Sequence, residues 1–333
     1  MADFKQLLKV LERGVPSRPV LFEMFMNDRL YRRACGEKYD ISTPYATMRT
    51  MVHSFAYYGY DYATVRGCEL WFPNGERQGD AKTISLNAGH CITDRKSFDE
   101  YPWMDAAKCD YSALEKISGD LPKGMKTIVM GPGGVLENAI SLVGYDNLCM
   151  MLYEDRELVG DIFERIGSSL TEYYRRSAAY GSVGALISND DWGFNTQTML
   201  SPADLREFVF PWHAQIVQAI HAAGKPAILH SCGNYSMIVD DLYALKYDAR
   251  HSYEDKIVPV ETAYEQFVGK IAVLGGIDIN FLMSEPESAI TERSRNMLER
   301  SKDRGGYALG SGNSIPEYIP DDKYFAMLRA AAE

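Results

Sequence analysis

Residues 228–234 read ILHSCGN: an apolar run presents a histidine and a cysteine two positions apart, then breaks at a glycine. On an extended strand positions i and i+2 share a face, so His230 and Cys232 can point the same way while Ser231 turns aside. Imidazole nitrogen with thiolate sulfur suits zinc, and suits magnesium or calcium poorly. A buried cysteine beside a core histidine is the common structural explanation of such a pair, so a third ligand matters. Glu254 offers one: it ends the next predicted strand, ARHSYEDK, and neighbouring strands lie about 5 Å apart, within reach of a long carboxylate. His251 competes for that place, and a surface carboxylate is the plain alternative for Glu254.

Asp190 and Asp191 open the loop NDDWGFN after another predicted strand. Paired carboxylates raise one pKa and can create a proton donor, which makes both catalytic candidates. The competing explanation is that one caps a turn and the other orients His230 through its second ring nitrogen; a mixed reading gives one of them each kind of role. Further polar residues fall at predicted strand ends: Glu23 with Asn27, Glu137, Asn195, Asp278, and Ser311 with Asn313. Of these, Glu23, Asn27, Asn195, Asp278 and Asn313 are candidate substrate contacts, although tight turns explain Asp278 and Asn313 as well. Trp192, Phe194 and Tyr253 can line an apolar pocket, with ordinary packing as the alternative.

These residues need elements to hold them. Short apolar, β-rich runs begin at 19 (PVLFEMF), 62 (YATV), 126 (KTIVMGP), 185 (ALISND), 227 (AILHSCG), 249 (ARHSYE), 271 (IAVLGGID) and 307 (YALGSG), and helix-length amphipathic segments separate most of them. Eight such alternations predict a (β/α)8 TIM barrel, with a doubly wound open sheet as the alternative. Barrel chemistry sits on the loops after the strands, where the residues above fall. One connection, 66–125 between the second and third predicted strands, is long enough to be an insertion: a hairpin at KTISLNA and a helix, over the barrel mouth or against the outer helices. The whole chain, 1–333, reads as one domain.

A hydrophobic content of 46% and a charged content of 24% belong to a folded globular chain. The net charge of -11, spread along the sequence, opposes a nucleic-acid partner. No window approaches the ~20 apolar residues of a membrane span, and the first residues form an amphipathic pattern without a signal core, so a cytoplasmic location is expected. The six cysteines have no paired spacing, and only Cys232 has a histidine within two positions.

The stretches ISNDDWGFNTQTMLSPADLREFVFPW, LHSCGNYSMIVDDL, VLGGIDINFL and YALGSGNSIPEYIP resemble the uroporphyrinogen decarboxylase superfamily, in particular its corrinoid-dependent methyltransferase branch. The resemblance implies a (β/α)8 barrel and a zinc site built from a histidine and a cysteine two apart plus a second cysteine near the eighth strand. His230 and Cys232 match the first two; Ser311 stands where the second cysteine is expected. The spacing from Cys232 to Glu254 is also similar to the zinc site of cobalamin-independent methionine synthase, which favours Glu254 as the replacement ligand. The first predicted strand of a true decarboxylase is followed by an arginine-rich motif, whereas this chain has FEMFMNDRLYRR, with acidic Glu23 and Asp28.

The resemblance implies a methyl transfer from an alcohol or aryl methyl ether to a corrinoid on a partner protein, with zinc at His230, Cys232 and Glu254. A decarboxylase of the uroporphyrinogen type is the runner-up. A zinc hydrolase or a metal-free binding protein come third.

Overall fold

The structure, a computed structural model, describes residues 2–75, 86–87 and 89–332. Seven parallel strands form one curled sheet: β1 (Tyr62–Arg66), β2 (Lys126–Met130), β3 (Val183–Asn189), β4 (Ala227–His230), β5 (Ala249–His251), β6 (Ala272–Leu274) and β7 (Tyr307–Ala308). Each pairs with the next in chain order. A doubly wound sheet would reverse that order partway, so the open-sheet alternative is set aside.

The first predicted strand, 19–25, is a correction. Among the described residues it pairs in parallel only through an isolated bridge between Leu21 and Leu309, the residue just after β7, with Phe22 N–H donating to Leu309 at 2.7 Å and Leu309 N–H to Val20 at 2.8 Å. Pro19 has no N–H to offer. At Glu23 the Tyr62 hydroxyl accepts from the backbone N–H (2.8 Å) and donates to the carbonyl (2.6 Å), so a side chain takes both groups a ladder would need.

Helices cover the sheet because their apolar faces have nowhere else to go. The longest, Arg156–Ala178, starts at an Asp155 cap and buries Ile162, Phe163, Ile166 and Leu170. Ser201 caps the segment begun by Pro202, where the missing N–H costs nothing. The long connection between β1 and β2 holds the helices Arg95–Glu100 and Ser112–Lys116. Where described, it packs against outer helices: Asn74 bonds Ser141, Arg95 pairs with Asp161, and the Tyr111 ring meets Tyr173. The expected hairpin at KTISLNA lies outside the described residues except for Leu86 and Asn87. Among the described residues, no helix is long and apolar enough to cross a membrane.

Candidate metal centre at the ends of β3 and β4

His230 is the last residue of β4 and Cys232 follows two positions later. Nε2 of His230 lies 3.6 Å from Sγ of Cys232. With zinc bonds of about 2.0 Å to nitrogen and 2.3 Å to sulfur, tetrahedral geometry separates such donors by roughly 3.5 Å. The third group is Asp191: its carboxylate, Nε2 of His230 and Sγ of Cys232 all lie within 4.8 Å of one another. Asp191 was expected as a catalytic residue and Glu254 as the ligand; the structure groups Asp191 with the pair, and Glu254 is not in that group. Glu254 shares a 10 Å³ cavity with Ser252 and Tyr253 instead.

The loops come together through backbone contact. Gly233 has φ +88°, and a Cβ there would stand 1.9 Å from the carbonyl oxygen of Gly193. Asn234 N–H donates to Phe194 at 2.8 Å, and Cys232 N–H donates to Oδ1 of Asp191 at 2.7 Å. The loop after β3 is thereby pinned to the loop after β4. Asn195 joins the contact through its carbonyl, which accepts from Asn234 Nδ2 at 3.3 Å.

Asp190 sits apart from the cluster, fully buried. Its carboxylate accepts from the N–H groups of Leu136 and Glu137 at the start of the helix Val135–Val143, from Trp192 Nε1, and lies 2.8 Å from Nε2 of His213. A Cβ on Gly134 would be 2.0 Å from Oδ1, so only glycine admits the carboxylate there. Asp190 is thus a remote helix cap. Trp192 is buried beside it, against Phe210 and His213. His213 escaped the sequence reading, because nothing in its helix marks which residue meets a strand end.

Other expected substrate contacts are spent on structure. Asn27 caps the helix Asp28–Cys35 through Leu30 N–H and donates to Pro316. Asp278 accepts from Phe281 and Asp255 N–H groups. Tyr253 packs over the Arg250 guanidinium at 4.9 Å. Asn313 does reach the cluster, its Nδ2 donating to Sγ of Cys232 at 3.4 Å. Ser311 does not: its Oγ lies 2.8 Å from Oε2 of Glu23 and 2.8 Å from the carbonyl of Asn313.

Behind the cluster stands buried Arg250, which donates to the carbonyls of Ser231 (2.8 Å) and Ser252 (2.7 Å) and stacks on Tyr235 at 4.2 Å. It ties the ends of β4 and β5 together. Burial, and secondarily this cation, lowers the pKa of His230 to about 3, leaving the ring neutral, as a ligand must be. Burial, then the charge of Asp191, pushes the Cys232 thiol up. Burial also raises Asp191 and Glu254, and the charges of Asp278 and Asp191 raise Glu254 further. An acidic, thiol-bearing cluster that resists ionisation when empty is what a divalent cation would relieve.

A family model described as uroporphyrinogen decarboxylase matches residues 63–333. The uroporphyrinogen decarboxylase of Anaeromyxobacter sp. (strain Fw109-5) is 27% identical over 187 residues, 56% of this chain and 51% of that protein. The one from Syntrophotalea carbinolica is 26% identical over 176 residues, 53% and 49% of the two chains. The chain spans about half the length of the curated relatives it matches. Among solved structures, a methyltransferase from Methanosarcina mazei is similar with a TM-score of 0.71 over 100% of this chain and 99% of that one, at 15% identity. A B12-independent methionine synthase from Shewanella sp. W3-18-1 gives 0.54 over 87% and 86%, at 13% identity. At such identities the likeness is one of fold.

Proposed function

This chain belongs to the uroporphyrinogen decarboxylase family, and from that premise we propose that it moves a methyl group from an alcohol or aryl methyl ether to a corrinoid held by a partner protein, using zinc. The observation that carries the reading is the convergence of Asp191, His230 and Cys232 at the strand ends. Their donor atoms would hold the ion with one position left open, as catalytic zinc sites have. When bound, zinc supplies Lewis acidity to the oxygen that leaves as the methyl carbon is attacked. One thiolate and one carboxylate would make the site formally neutral, and a carboxylate in place of a second thiolate keeps the ion the stronger acid. Asn313 drains charge from the sulfur by donating to it, in the same direction. Burial, then the charges of Asp190 and Asp191, pushes the Glu137 carboxyl up to about 8. Gly134 N–H and Asn189 Nδ2 both donate to its Oε2, so a proton on this carboxyl belongs on Oε1.

The test combines metal analysis with a methyl-transfer assay: protein, Co(I) corrinoid, and methanol or a methoxy-aromatic. Methyl-cobalt spectra should form, and Cys232→Ser should slow them about 10²–10³-fold by weakening leaving-group stabilisation. Silence across methanol, methylamines and methoxy-aromatics would overturn the reading. Decarboxylation is the second reading, favoured by the names of the curated relatives. Against it stand the mutually repelling carboxylates of Asp191, Glu254 and Asp278, which oppose a polycarboxylate. Loss of carboxyl groups from uroporphyrinogen, unaffected by Cys232→Ser, would favour that reading.

A further inference from the structure

We infer that His251 is a positioning residue: it holds the ring proton of His230 on Nδ1, so that the Nε2 lone pair faces Cys232 and Asp191. The consequence for metal binding rests on the proposed function; the proton assignment rests on geometry alone.

His230 and His251 occupy paired positions on β4 and β5. Their Nδ1 atoms lie 2.8 Å apart, and Nε2 of His251 lies 3.2 Å from the carbonyl oxygen of Ser311. A carbonyl can only accept, so Nε2 of His251 must carry a hydrogen. Both rings are buried, and among the described residues neither pairs with a carboxylate. The Asp191 carboxylate lies within 4.8 Å of His230 Nε2 without forming an ion pair, and the buried Arg250 behind the cluster opposes a further charge, so each ring is neutral and has one N–H. His251 has spent its hydrogen on Ser311, which leaves its Nδ1 bare. That bare nitrogen is satisfied only if His230 carries its hydrogen on Nδ1. Nε2 of His230 is then unprotonated, 3.6 Å from Sγ of Cys232.

The opposite arrangement sets two lone pairs against each other at Ser311 and aims an N–H at the cluster, where nothing could then ligate. Metal-binding histidines usually take this orienting bond from a carboxylate or carbonyl; here a second histidine relays it from the backbone carbonyl of Ser311, in the segment after β7. The His251 ring is held in place by Phe22, whose ring centre is 5.2 Å away.

The experiment uses the full chain in three forms: wild type, His251→Phe and His251→Gln. Nitrogen NMR of the metal-free protein reads the His230 tautomer, and competition with a chromophoric chelator reads zinc affinity. Wild type should have His230 protonated on Nδ1. His251→Phe removes the acceptor and should lose the single tautomer and about 10- to 100-fold in zinc affinity. His251→Gln keeps a carbonyl acceptor and should retain the tautomer, with affinity within about threefold of wild type. A purely packing role for His251 would not distinguish Gln from Phe in tautomer. An Nε2-protonated His230 in the wild type overturns the inference, as does a zinc affinity unchanged in the Phe variant. If the Phe variant fails to fold, the wild-type spectrum and the Gln variant still decide. Zinc refused by wild type with an Nδ1-protonated His230 would sink the proposed function and leave the proton assignment standing.

Discussion

Among the described residues, Glu23 is a carboxyl group with no cation to answer it. Its Oε1 accepts from Ser311 N–H at 2.7 Å, and its Oε2 lies 2.8 Å from Ser311 Oγ. That hydroxyl has one hydrogen, which the Asn313 carbonyl at 2.8 Å can claim. A proton on Oε2 of Glu23 would satisfy the remaining contact, and burial, against the opposing Ser311 bonds, raises the group from 4.5 to about 8. A raised carboxyl binds its proton in the folded chain at pH values where the unfolded chain has released it. Its stabilising effect is therefore full below pH 4.5 and is lost as pH rises toward about 8. Glu23→Gln copies the protonated acid: its carbonyl accepts from Ser311 N–H and its amide donates to Ser311 Oγ. Urea midpoints from about pH 5 to about pH 8 should fall less steeply in the variant, the difference reaching a few kcal/mol at most. Parallel profiles would mean that Glu23 is ionised in the fold. The side chain of Ser311, where the resemblance anticipated a cysteine, thus answers to Glu23 and not to the cluster. His230 and Cys232 were legible because a spacing of two after an apolar run puts both on one face, although the strand itself stops at His230. The sequence marks Asp191, His251 and Asn313 as a catalytic residue, a rival ligand and a substrate contact, but the parts they take here were not legible, since these depend on loops and strands meeting across sequence distance.

At the scale of elements, the site depends on one crossing of backbones, where the loop after β3 meets the loop after β4. Gly233→Ala puts a Cβ at φ +88° into the carbonyl of Gly193. It should cost at least about 2 kcal/mol of stability and, by moving Cys232 from Asp191, weaken zinc binding as well. Denaturant melts and chelator competition on one preparation check both; an affinity unchanged by the substitution would mean that the contact between loops does not align the ligands. Strand positions were readable from apolar runs, but strand ends were not. The predicted run AILHSCG yields a strand that stops at His230, and ARHSYE one that stops at His251, just before Ser252 with φ +139°. Side-chain hydrogen bonds and turns end these strands, and an apolar pattern carries no trace of either. The first predicted strand failed for the same reason, through the Tyr62 hydroxyl.

For the molecule as a whole, a metal at this position would bridge two loops that otherwise touch only through hydrogen bonds and close contact. Any ligand that binds the folded chain alone adds to its stability, by about 3 kcal/mol at free zinc near 100 times Kd. For a chain of 333 residues that is a rise of about 4 °C in Tm. The shift should be nearly lost in Asp191→Asn and Cys232→Ser, which each remove a donor from the cluster. It should persist in Glu254→Gln, because Glu254 is not in the group of three. Thermal melts of the four proteins with and without zinc read this directly. A shift kept by Asp191→Asn and lost by Glu254→Gln would hand the third ligand to the loop after β5 and make Asp191 a neighbour of the site. The crossing at Gly233 would then serve to hold Cys232 in place and would not bring a donor to it.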